Sequence, residues 1–282
     1  MTETAPVDRF ASDTAVVRRD VDRFDTECRI GWRVIGGTAP NGGYLMAIGA
    51  RAMAERAERP DPVTLTAHFL APPELGPLEV VTEMVREGGR HRTVAARLVQ
   101  DGRECVRLLG TFGDLARADG PTRVLCEPPP WPPVASLPDP KAGLGDFPTP
   151  EIFDRLDHRM PESTTGWTRG RPSGEGVHGG WCRWADGAAM DVFGLLFVAD
   201  AYPPAVFDLG VAEVAWAPTI ELTVQVRERP APGWLATRFA TRALTGGYFE
   251  EDGELWDEDG RLVAISRQLA LSGRPRPSSP AT

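Results

Sequence analysis

Cysteine is scarce in this 282-residue chain, and Cys28, Cys105, Cys126 and Cys182 stand far apart. No C-x-x-C pair occurs and no histidine lies at ligand spacing beside any of them. A disulfide framework or a zinc site is therefore not indicated, and four reduced thiols are expected. The four histidines, His68, His91, His158 and His178, nowhere form H-E-x-x-H. Phosphate-loop spacing, G-x-x-x-x-G-K-[ST], is absent, and Gly170-Arg171-Pro172-Ser173-Gly174 misses the G-x-S-x-G nucleophile elbow. These absences argue against a nucleoside triphosphatase and a serine hydrolase. No apolar run reaches the roughly 18 residues of a membrane span, so no membrane partner is expected. The opening MTETAPVDRF has no basic stretch leading into an apolar one, so no signal peptide is read and a cytoplasmic location is expected. Lysine is the scarcest charge: Lys141 is the only one among 31 basic residues. With abundant Ala, Gly and Pro, this is the usage of a GC-rich bacterial genome. A net charge of −9 argues against a surface built to follow nucleic-acid phosphates, and no nucleic-acid partner is expected.

What is present is an ordinary globular composition, 41% hydrophobic and 25% charged, at a length that suits one large domain or two average ones. Residues 126–150, CEPPPWPPVASLPDPKAGLGDFPTP, are too rich in proline for helix or central strand. A second stretch, residues 161–180, PESTTGWTRGRPSGEGVHGG, reads as loop. The chain repeats itself on either side. Pro62, Gly88-Gly89 and Asp101-Gly102 are followed 156, 158 and 158 residues later by Pro218, Gly246-Gly247 and Asp259-Gly260. Each copy carries four strand-like runs joined by hairpin turns. In Thr219–Val226 the alternation is strict, with Ile220, Leu222, Val224 and Val226 on one face. Ahead of each block lies a helical segment apolar almost all round, Gly43–Glu58 and about Gly187–Ala201, and a helix without a polar face must be wrapped. The expected architecture is α+β, a double hot-dog in which each antiparallel sheet wraps a central helix. Its units are residues 1–115, a Pro/Gly-rich linker at 116–176, a C-terminal unit at 177–272 and a disordered tail at 273–282.

NGGYLMAIGARAM, VTLTAHFLAPP, LLFVADA, the Thr219-Ile220 pair and the ending DGELWDEDGRLVAISRQLAL together resemble the acyl-CoA thioesterase II (TesB-type) double hot-dog family. The resemblance covers roughly residues 20–115 and 178–271. It implies hydrolysis of an acyl thioester, carried by coenzyme A or acyl carrier protein, to a free acid and a thiol, with no metal or redox cofactor. It further implies that an Asp, a Thr and a Gln hold the hydrolytic water, and by motif these fall on Asp200, Thr219 and Gln268. The strand after Thr219, VQVRERP, departs from the family pattern in lacking a histidine. Hot-dog sheets commonly associate edge to edge, which is compatible with a homodimer.

Physical chemistry bears on each assignment. Asp200 follows the apolar LLFVA, where desolvation raises a carboxyl pKa, and it stands at a helix C-terminus, where the dipole disfavours an anion. Counting by the repeat, Val63 and Gly110 occupy the places of Thr219 and Gln268, so one site per chain is expected. The helix start at Asn41, Gly42 and Gly43 offers backbone donors for an oxyanion, or merely a tight turn. His68, in register with Thr64 and Thr66, either borders the cleft or is a structural histidine. Arg86, Arg90 and Arg92 either meet coenzyme A phosphates or form a solvated hairpin tip. Two other functions stay open: a non-catalytic acyl-thioester binding protein, and a hot-dog enoyl-CoA hydratase, although no histidine follows His178 to supply its Asp/His dyad.

Overall fold

The computed structural model describes residues 8–34, 39–138, 150–210 and 217–272. The tail expected at 273–282 lies outside them. Among the described residues thirteen strands form one antiparallel sheet: β1 (Val17–Arg18), β2 (Arg23–Cys28), β3 (Asp61–Phe69), β4 (Gly76–Glu87), β5 (Arg92–Gln100), β6 (Arg103–Gly113), β7 (Leu156–Arg159), β8 (Val177–Trp184), β9 (Thr219–Val226), β10 (Leu235–Ala240), β11 (Leu244–Thr245), β12 (Tyr248–Trp256) and β13 (Leu262–Leu271). From one edge inward the order is β1, β2, β4, β5, β6, β3. From the other it is β7, β8, β10, β12, β13, β9, with β11 paired to β12. The halves join where β3 meets β9, through pairs from Leu65 with Val224 to His68 with Glu221, and the Thr66 and Thr223 hydroxyls bond at 2.8 Å. Arg229 adds a two-pronged bond across the halves to the buried Asp61, at 3.0 and 2.9 Å.

After α1 (Arg9–Asp13), two helices fill the interior. Asn41 caps α2 (Gly42–Ala57) by accepting the Tyr44 N–H at 2.9 Å. Nearly every α2 side chain from Tyr44 to Met53 is buried, because the helix packs on β3, β4, β5 and β6 and also on the second helix. That second helix, α3 (Val192–Val198), is much shorter than the expected 187–201. Asp191 caps it by accepting the Gly194 N–H at 2.7 Å and also pairs with Arg51 of α2 at 3.0 Å, so the preceding GAAM stays outside the helix. Beyond Val198 the chain turns, and Pro203-Pro204 forbid continuation. An aromatic cluster of Phe10, Trp32, Tyr44, Trp184 and Phe197 seals the space around the two helices.

The segment read as linker is built into the fold. β7 lies inside it and pairs with β8, and Trp131 donates its indole N–H to the Thr237 carbonyl at 2.7 Å. Glu151 accepts from the Gly31 N–H at 2.9 Å and the Arg33 Nε at 3.0 Å, tying this segment back to the N-terminal half. Residues 161–180 are likewise not all loop: two short 3-10 turns are followed by β8, which starts at Val177. Among the described residues no helix is long and apolar enough to cross a membrane.

Candidate active site

Past α3 the chain folds back so that Asp200 meets the N-terminus of α2. Its Oδ2 accepts from Asn41 Nδ2 at 2.8 Å and from the Gly43 N–H at 3.0 Å, while Asn41 Nδ2 also donates to the Asp200 carbonyl at 2.7 Å. The helix dipole that acts on Asp200 is therefore favourable. Asp200 lies near the end of its own helix but faces the positive end of another. The enclosed surroundings push its carboxyl up to about 6 by desolvation, against the pull of the Gly43, Gly42 and Asn41 donors. An acid so poised is ionised at neutral pH yet retains basicity.

Thr219 opens β9, and Gln268 lies on β13 opposite Leu222. Thr219 Oγ1 donates to Gln268 Oε1 at 2.8 Å. Asp200, Thr219 and Gln268 all line one cavity of about 310 Å³. The wall opposite is apolar: Val34 and Leu45 from the N-terminal half, Phe69 and Leu70 at the end of β3, Pro150, Ile152 and Phe153 from the middle segment, and Tyr202 and Phe207 beyond α3. A polar corner thus borders a pocket whose remaining lining is largely apolar.

Other expected site residues are placed differently. Of the Asn41-Gly42-Gly43 donors proposed for an oxyanion, the Asn41 amide and the Gly43 N–H are committed to Asp200, so they hold the acid and are not free for a substrate oxygen. Gly42 reaches the cavity wall. His68 does not line it: its side chain is exposed on the outer face of β3, and the neighbouring Phe69 points inward instead, as strand alternation requires. Around the first hairpin Arg92 pairs with Glu58 and Arg90 with Asp119.

Sequence reasoning missed Glu251. It stands opposite Gln268 in the β12–β13 ladder, is 4% exposed, and accepts from Gln268 Nε2 at 2.6 Å and from the Ala205 N–H at 2.5 Å. Burial pushes its carboxyl up to about 7, with Asp200 adding to the rise. The signal was the alternation of Phe249, Glu251, Gly253 and Leu255, which puts this acid on the inner face.

The profile of the acyl-CoA thioesterase N-terminal domain matches residues 29–113, and that of the C-terminal domain matches 126–272. An uncharacterized protein of Mycobacterium tuberculosis is 30% identical over 88% of this chain and 90% of its own length. The crystal structure of a Thermobifida fusca protein described as a thioesterase II superposes with a TM-score of 0.85 at 33% identity, covering 96% of this chain and 100% of that one. A hot-dog protein of Alicyclobacillus acidocaldarius superposes with a TM-score of 0.80 at 22% identity, covering 95% and 98%, and shares the fold.

Proposed function

Because the chain belongs to the acyl-CoA thioesterase family, matched in both halves, we propose that it hydrolyses an acyl-CoA to the free acid and coenzyme A with a water activated by Asp200, Thr219 and Gln268. The observation that carries this reading is the convergence of the three side chains on one cavity whose remaining wall is apolar. A carboxylate has about four acceptor positions; Asn41 and Gly43 both donate to Oδ2, which leaves Oδ1 to accept from the water. Asp200 accepts the water's proton as its oxygen attacks the thioester carbon. The proton then passes to the departing thiolate, leaving a free acid and a thiol.

The sheet is read here as two hot-dog units, with α2 and α3 as their central helices. Gly110 stands opposite Leu65 in the β3–β6 ladder, where Gln268 stands opposite Leu222 in β9–β13. A glycine has no side-chain amide to set the polarity of such a site, which supports one hydrolytic site per chain. The residues lining the cavity include no histidine, which disfavours the hydratase dyad.

Asp200→Asn tests the reading. Against a panel of acyl-CoA substrates the wild type should release free coenzyme A and the variant should release at least about 100-fold less, with an unchanged circular dichroism spectrum. Equal turnover would remove Asp200 from the mechanism. A wild type that binds acyl-CoA without releasing coenzyme A would identify a binding protein.

A further inference from the structure

Glu251 is an acid in a place where burial opposes one. It lies on the inner face of β12 between Phe249 and Gly253, and the charges that act on it, Asp200 and Glu250, are both negative. Its hydrogen bonds run to the Ala205 N–H and to the side-chain amide of Gln268. On the outer face the next residue along, Asp252, has Arg267 as partner at 2.5 Å, so the strand pair supplies a cation where the acid is exposed. A buried carboxylate with neither cation nor metal is costly, and replacing it by an apolar residue would relieve that cost.

We propose that Glu251 is a positioning residue for the hydrolysis described above: it fixes the Gln268 amide with its oxygen toward Thr219, so that the Thr219 hydroxyl receives the water instead of donating to it. This rests on the hydrolase reading. In its ionised form, dominant above a pH of about 7, the Glu251 carboxylate only accepts. One Glu251 oxygen takes the Ala205 N–H, and the other must meet the nitrogen end of Gln268, which turns Gln268 Oε1 to Thr219. The hydroxyl proton is thereby committed to Gln268, leaving the Thr219 lone pairs to accept from a water in the cavity. Such a water donates one proton to Asp200 and the other to Thr219, and its own lone pair stays free for the thioester carbon. With the amide reversed, Gln268 would donate to Thr219 and the hydroxyl proton would turn to the water. The water's lone pair would then be engaged and the nucleophile blunted.

The test exchanges the polarity of the pair while keeping its shape. In Glu251→Gln the new amide must present its oxygen to the Ala205 N–H and its nitrogen to Gln268, which forces Gln268 to turn round. We expect kcat to fall about 100-fold, as for a misdirected nucleophile, with KM for acyl-CoA within about twofold of wild type. In the swap Glu251→Gln with Gln268→Glu, the amide at 251 donates to the carboxylate at 268, whose second oxygen again accepts from Thr219. The swap should recover kcat to within about 10-fold of wild type. Wild-type kcat in E251Q would overturn the proposal. So would a swap no faster than E251Q while binding a non-hydrolysable acyl-CoA thioether at unchanged Kd. If E251Q does not fold, the swap decides alone, a folded but inactive swap counting against the proposal. Wild type runs in the same assay: an inert wild type refutes the hydrolase reading, whereas an active wild type with an equally active E251Q refutes only the role of Glu251.

Discussion

Asp200 is held between two opposed effects, desolvation that raises its pKa and the donors of the α2 terminus that lower it, and desolvation prevails with a value of about 6. The reacting form is the carboxylate, so kcat/KM should rise with pH as Asp200 ionises near 6 and Glu251 near 7 and level off above both, a profile measurable on any good acyl-CoA substrate. The same shift has a consequence for stability. The folded pKa lies above the unfolded value of about 3.9, so between the two the native state binds more protons and stability falls as pH rises. Discounted for solvent screening, the loss is about 2 kcal/mol at neutral pH. Asp200→Asn should therefore melt a few degrees higher than wild type at pH about 8 and show no such gain at pH about 4. Asp200, Thr219 and Gln268 were legible as motif positions, because each stands in a short string whose order along the chain resembles the family. Their hydrogen-bond partners were not legible, since the Asn41-to-Asp200 contact joins residues far apart in sequence. Glu251 sits in an acidic run, EEDGE, that reads as solvated until the strand parity is applied.

At the scale of elements, the site depends on how closely α2 approaches α3. A Cβ on Gly43 would lie 2.6 Å from the Leu196 carbonyl oxygen and 2.8 Å from the Phe197 Cα, both backbone of α3. Gly43→Ala should therefore pry the helices apart, lower stability by about 1–3 kcal/mol and draw the Gly43 N–H away from Asp200. Thermal melts with a pH–rate profile check this: the melting temperature should fall and the apparent pKa of the base should move upward. The start of α2 was readable to within a residue because Asn41 is a strong cap and the following run is apolar on every side. The extent of α3 was not, since apolar residues continue on its N-terminal side while Asp191 starts the helix later. β8 was hidden by its glycines. A Cβ at Gly179 would stand 2.2 Å from the Thr237 carbonyl oxygen and one at Gly180 2.4 Å from that of Arg159, so close approach of both neighbouring strands requires glycines that otherwise signal loop.

For the whole molecule, the cavity belongs to neither half alone. The acid and its partners come from the C-terminal half, the donors that hold the acid come from α2, and part of the apolar wall comes from residues 150–153. Proline disfavours long helices and central strands but not packing, which is why the sequence around residues 150–153 reads as a spacer while Ile152 and Phe153 are buried. Phe153 stacks on His158 at 4.7 Å between centroids and presents its remaining surface to the cavity. If the cavity receives the acyl chain, trimming this wall should lengthen the chain accepted without touching the hydrolytic water. Phe153→Leu keeps an apolar filler at a cost of about 1 kcal/mol and opens space beside Ile152. Its kcat/KM profile across a series of acyl-CoA substrates should shift toward longer chains by about 10-fold in ratio, about 1.4 kcal/mol in differential binding, while the pH dependence set by Asp200 stays where it was. An unshifted profile would place the acyl chain elsewhere and leave Phe153 as core packing.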